Sequence, residues 1–165
     1  MVTAAKVGAT SYATPTDREV VITRVVDAPR ELVWRVWTSP EHIPQWLVGP
    51  PGWTMPICEL DLRPGGKWRY VWRKGDGAEM TLSGLVKEVS PPSRLVTTER
   101  WGPEWPETLN TMALTEAAGL TTITLTVLYP SKDARDAALK TGMKEGMDAG
   151  FVRLDQLLLT LSKGV

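Results

Sequence analysis

The chain has 165 residues, with 19 basic and 19 acidic side chains and a formal net charge of zero. A neutral total supplies no long-range field to gather nucleic acid or an anionic membrane, and no run of five like charges is hidden within it. One histidine, His42, and one cysteine, Cys58, exclude an internal disulfide and the usual zinc ligand sets, so neither metal nor cofactor is expected.

Residues 1–18 hold scattered Ala, Thr and Ser and read as a flexible tail, without the apolar core of a secretory signal. No stretch of about 18 apolar residues occurs, so a cytoplasmic chain without a membrane span is expected. Residues 19–165 read as one domain. The β-branched run 19–27 predicts a strand. Asp27 then offers a cap, and Pro29 suits the first turn of a short helix with Leu32, Val33, Val36 and Trp37 at helical spacing. Ser39-Pro40-Glu41 repeats the start signal for a second short helix. That helix holds Pro44 and Trp46 and stops at Gly49-Pro50-Pro51-Gly52.

Six more strands are predicted, over 54–62, 67–73, 79–89, 94–101, 107–116 and 120–129, and their tight turns favour antiparallel pairing. Alternation puts Trp68, Tyr70 and Trp72 on one face, without telling whether that face looks inward. It also groups Met80, Leu82, Gly84 and Val86. After Pro130, Ser131 can cap a helix of roughly 30 residues. Leu139, Met143, Met147, Phe151, Leu154, Leu158 and Leu161 mark one face of it. A helix that long needs a wide surface to lie across, and the sheet is that surface. The order implies an α+β fold. A curved antiparallel sheet of six to seven strands wraps on a long C-terminal helix, with two short helices after the first strand.

Five stretches carry a family resemblance. They are Arg24-Val-Val-Asp-Ala-Pro-Arg-Glu-Leu-Val-Trp-Arg-Val-Trp-Thr-Ser-Pro-Glu-His, Asp61-Leu-Arg-Pro-Gly-Gly-Lys-Trp, Gly84 through Pro91-Pro92-Ser-Arg-Leu-Val, Gly142-Met-Lys-Glu-Gly-Met, and Arg153-Leu-Asp-Gln-Leu-Leu. Together they resemble the SRPBCC (START-like) proteins of the type named for the activator of the ninety-kilodalton heat-shock chaperone's ATPase, over its C-terminal domain. The resemblance implies a helix-grip fold, a soluble protein and a possible homodimer. Relatives include lipid carriers, aromatic-polyketide cyclases, antibiotic-trapping resistance proteins and co-chaperone domains, so the fold alone does not choose a function.

The aromatic balance bears on that choice. Eight tryptophans stand beside three tyrosines and one phenylalanine, which suits either bulky core or a pocket walled by indole faces. A cavity between helix and sheet is expected. Its wall would be Trp37, Trp68, Tyr70, Trp72, Met80, Leu82, Trp101 and Met112. Its floor would be Met143, Met147 and Phe151, and its gate the loop from Trp46 to Trp53. Gly142, Gly146 and Gly150 would cost the long helix roughly 2–3 kcal/mol unless close packing or ligand space offsets the loss.

Catalytic resources are thin. One His and one Cys assemble no recognisable nucleophilic set, and His42 reads as a surface residue and Cys58 as a small buried apolar group. Either Glu99 or Arg100 must point inward, as a base or as an anion holder, or else as a strand-end residue paired across the sheet. The expectation is a protein that binds a small apolar or aromatic molecule, with no enzymatic activity by default. The alternatives are a cyclase- or isomerase-type enzyme and a co-chaperone-like interaction domain.

Overall fold

The computed structural model describes residues 7–49 and 51–163. The elements are β1 (Thr10–Ala13), β2 (Glu19–Val26), α1 (Arg30–Thr38), α2 (Ile43–Trp46), β3 (Trp53–Leu60) and β4 (Lys67–Lys74). They continue with β5 (Glu79–Ser90), β6 (Arg94–Glu99), β7 (Thr108–Ala117), β8 (Leu120–Leu128), α3 (Lys132–Leu139) and α4 (Met143–Lys163). The strands form one antiparallel sheet in the order β1-β2-β8-β7-β6-β5-β4-β3. All seven predicted strands are present. The eighth, β1, lies inside the expected tail, which is therefore not loose throughout. Four residues with one large side chain, Tyr12, leave no alternation to read.

Register defines the inner face. Ile22 pairs with Leu125, Leu125 with Met112, and Met112 with Leu95, across four adjacent strands. Ile22, Met112 and Leu95 share one core cluster with Phe151, Leu154 and Leu158 of α4, and Leu125 packs against it. The opposite face of β8 carries Thr122, Thr124 and Thr126, which suits a water-facing side. The two edges of the sheet differ from its middle. β1 is four residues long, and the β3 register shifts between Thr54 and Ile57, around Pro56.

The caps are partly those expected. Ser131 accepts from the Ala134 amide at 3.1 Å, as predicted. Asp27 does not cap α1; the free Arg30 amide instead donates to Glu116 of β7 at 2.7 Å. A partner 86 positions away leaves no local signal.

The single 30-residue C-terminal helix is corrected to two helices. α3 stops at Leu139, Thr141 donates its hydroxyl back to the Ala138 carbonyl at 2.7 Å, and Gly142 takes a left-handed backbone at φ +79°. Glycine suits that break, so its expected helix cost does not apply. The apolar stripe hid it, because Leu139 and Met143 stay four apart across the turn. Gly150 is where α2 lies against α4: a Cβ there would sit 3.7 Å from the Trp46 carbonyl. Gly146 is exposed, and a Cβ there would meet nothing within 4 Å. Gly146→Ala is therefore expected to stabilise the fold by about 0.5–1 kcal/mol, read as a raised midpoint in urea with an unchanged slope.

Candidate ligand-binding site

The open face question for β4 has an answer. Trp68 and Trp72 are buried in the core cluster, with half-buried Tyr70 packed against it, so the three look inward. Their rings form a chain. Trp68 and Tyr70 centroids lie 4.9 Å apart, Tyr70 meets Trp72 edge-on at 6.1 Å, and Trp72 stacks on Trp101 at 5.4 Å. Two indole N–H groups are spent on structure. Trp68 donates to the Thr98 carbonyl at 3.1 Å, and Trp72 donates to the Leu47 carbonyl at 2.7 Å.

Leu82 and Met112 are buried in the same core cluster. Met80 and Trp101 retain 38% and 44% of their surface, which puts them at a rim rather than inside. Trp37 is half-buried and tilted against Trp46 at 4.6 Å. Trp46 is 3% exposed and donates to the Val36 carbonyl at 2.9 Å, so it is a core anchor and not part of a gate. Phe151, 1% exposed, lies under the Arg24 guanidinium, 5.3 Å from its ring, and Arg24 is in turn paired with Asp155. That makes it core as well. Met143 and Met147 are half-buried against the cluster. Tyr12, bonded to Asp148 at 2.7 Å and to the Lys144 carbonyl, ties this end of α4 to the edge of the sheet.

The expected gate loop is tied down at its start. Leu47 is held by Trp72, and the Gly49 carbonyl accepts from Arg153 of α4 at 2.6 Å. Trp53, at the start of β3, is half-buried against the core. Pro50, within that loop, lies outside the described residues.

Coverage of the inner face is uneven. Leu125 and Val127 sit mid-sheet on β8 and point inward, yet both are only half-buried. Asn110, which pairs with Val127, and Tyr70 share that state. Two open depressions, of about 720 and 310 Å³, indent the surface around β3–β5 and around the adjoining ends of β7 and β8. Their lining is mixed, with Lys67, Glu59 and Glu107 standing beside Trp68, Leu60 and Tyr129.

Of the two candidate polar residues, Glu99 points inward and Arg100 is exposed, so Arg100 is withdrawn as an anion holder. Glu99 accepts from Asn110 at 2.5 Å, and the Asn110 oxygen accepts from the Thr108 hydroxyl at 2.7 Å. Burial pushes the Glu99 carboxyl up to about 7, while hydrogen bonding from Asn110 and Trp101 opposes that rise. Glu99 also acts on two phenols. Tyr129 is pushed up to about 12, and Tyr70 is pushed up further, in both cases first by burial and then by nearby negative charge. Among the described residues neither hydroxyl has a hydrogen-bond partner. Cys58, opposite Tyr70, has its thiol pushed up to about 11 by burial and is half-buried. His42 is also largely covered rather than at the surface: its side chain is 14% exposed and its Nδ1 has no partner among the described residues.

Asn110 and Tyr129 were absent from the sequence-predicted set. Both carried a signal. Asn110 has the parity of Met112 and Leu114 in a strand, where asparagine is disfavoured, and Tyr129 continues the parity of Ile123, Leu125 and Val127.

The curved antiparallel sheet, the two short helices after β2 and the C-terminal helix across the inner face define the helix-grip, START-like class. Residues 27–159 match the model of the family described as Activator of Hsp90 ATPase homolog 1-like protein, and the chain belongs to that family. Among solved structures, a Rhodobacter sphaeroides protein is 30% identical, with TM-score 0.88, over 92% of this chain and 98% of its own. A Nitrosomonas europaea protein is 27% identical, with TM-score 0.79, over 92% of this chain and 100% of its own. An AHSA1-like protein from Aeromonas hydrophila, 20% identical with TM-score 0.68, shares the fold over 83% of this chain and 93% of its own. No curated protein matches the chain in sequence. Among the described residues, no helix is long and apolar enough to cross a membrane.

Proposed function

We propose that this chain binds a small apolar or aromatic molecule between the inner face of the sheet and the Met143–Met147 end of α4. The observation that carries this reading is the half-burial of Leu125 and Val127. A mid-sheet, inward-facing aliphatic side chain in a packed core touches neighbours on all sides. The aromatic chain from Trp68 to Trp101 supplies flat partners for a ring, and two methionines supply a pliable cover. Glu99 and Asn110 supply the few polar groups that orient a ligand in such a site.

N-phenyl-1-naphthylamine, an uncharged probe that brightens in apolar surroundings, tests the reading. A saturable rise in emission is expected, with affinity reduced about tenfold in Val127→Trp, which fills the space. Absence of binding by the unaltered chain would remove the proposal. A second reading, a cyclase- or isomerase-type enzyme, rests on the Glu99 carboxyl near 7, a value suited to proton transfer at neutral pH. Turnover that survives in Glu99→Gln would take Glu99 out of it.

A further inference from the structure

Glu99 is a carboxyl group without a counter-ion. Its hydrogen bonds come from two neutral donors, Asn110 and Trp101, and among the described residues no cation pairs with it. The inward cations lie elsewhere and are occupied. Arg24 is paired with Asp155, and Arg153 is held by the Gly49 carbonyl. Thr108 pairs with Glu99 and Leu109 with Leu128, which brings Tyr129 two strands from Glu99 on the same face; the phenol Tyr70 of β4, with Cys58 of β3 paired beside it, looks inward as well. All of these are neutral or negative. Tyr129 is 7% exposed and its hydroxyl lacks a partner among the described residues. A half-buried acid, two phenol oxygens that no described residue bonds and the ring faces of Trp72 and Trp101 share one preference. Each is attracted to positive charge or to a donated N–H.

We infer that the Glu99 end of the inner face is an ammonium subsite, so that the ligand class is an aromatic or apolar amine whose cationic nitrogen sits between Glu99 and the phenol oxygens. The inference rests on the binding reading above and names the ligand's polar end. Apolar rings of the amine would lie toward Leu125 and Val127. The carboxyl must be ionised to hold an ammonium ion, so affinity for an amine rises as pH passes upward through neutrality while the amine keeps its proton.

Three probes that share one ring separate the possibilities: 1-naphthylmethylamine, 1-naphthalenemethanol and 1-naphthoate, measured by calorimetry. Near pH 8 the amine is expected to bind at least ~10-fold more tightly than the alcohol, and the carboxylate most weakly. The amine preference should shrink toward about pH 6 and vanish in Glu99→Gln, which keeps the size and the acceptor oxygen. Equal binding of amine and alcohol to the unaltered chain, or preference for the carboxylate, overturns the ammonium subsite and leaves the apolar site standing. Failure of all three probes, the neutral alcohol included, removes the apolar site and the subsite together.

Discussion

Replacing Gly84 with alanine is expected to destabilise the chain by at least about 3 kcal/mol, or to prevent folding, because the side chain has nowhere to go. A Cβ on Gly84 would lie 1.8 Å from the Thr98 carbonyl oxygen and 2.6 Å from its carbon, and 2.9 Å from the Trp68 indole nitrogen. The first two are backbone atoms of β6 and cannot rotate away. The third is the nitrogen that donates to the same carbonyl, so relief of the clash also breaks that bond. β5 and β6 come this close because the β6 hydroxyl of Thr98 replaces a ladder partner and accepts from the Leu85 amide at 2.9 Å. The measurement is a urea or thermal midpoint, with a fall of roughly 6–12 °C for a chain of this size. A midpoint within about 2 °C of the unaltered protein would show that β6 yields at this point.

The second large effect concerns pH. Glu99 titrates near 4.5 in an unfolded chain and near 7 in the folded one. Its folded value is raised, so between those two values the folded state holds more protons than the unfolded state. Stability therefore falls as pH rises from about 4.5 to about 7 and levels off above that. The full change is on the order of 2–3 kcal/mol, allowing for the surface the residue keeps. Glu99→Gln removes the titration. The variant is expected to lie roughly 5–10 °C above the unaltered chain near pH 8, with the gap closing near pH 5. Parallel melting curves across that range would show that the carboxyl is solvated and that burial does not govern it.

The parts of this molecule that were legible from residue order were those fixed by local periodicity. The alternation of Trp68, Tyr70 and Trp72 set them on one face, and Pro29 and Ser131 placed two helix starts, whereas α2 begins at Ile43, past the Ser39-Pro40-Glu41 signal. Direction relative to the core was not legible, because Val71 opposes them and is itself buried. Long-range substitutions were not legible either. Glu116 capping α1, and Tyr12 bonding to Asp148, join residues 86 and 136 positions apart. The helix break at Gly142 was masked by an apolar stripe that runs on through it. At the site, alternation showed that either Glu99 or Arg100 turns inward, and pairing with Thr108 decided for Glu99. The roles of Trp46 and Phe151 needed their neighbours. A Trp whose N–H is bonded to the Val36 carbonyl and a Phe beneath Arg24 are parts of the packed core.

The unequal ends of the sheet bear on how copies of this chain behave together. An open strand is a template for another chain, and long flat edges recruit strands into fibres. Here one edge offers four residues, and the other is interrupted by Pro56, which has no amide to donate, at a shift in register. Neither end presents an uninterrupted ladder. Both borders therefore disfavour strand-by-strand polymerisation of the folded chain.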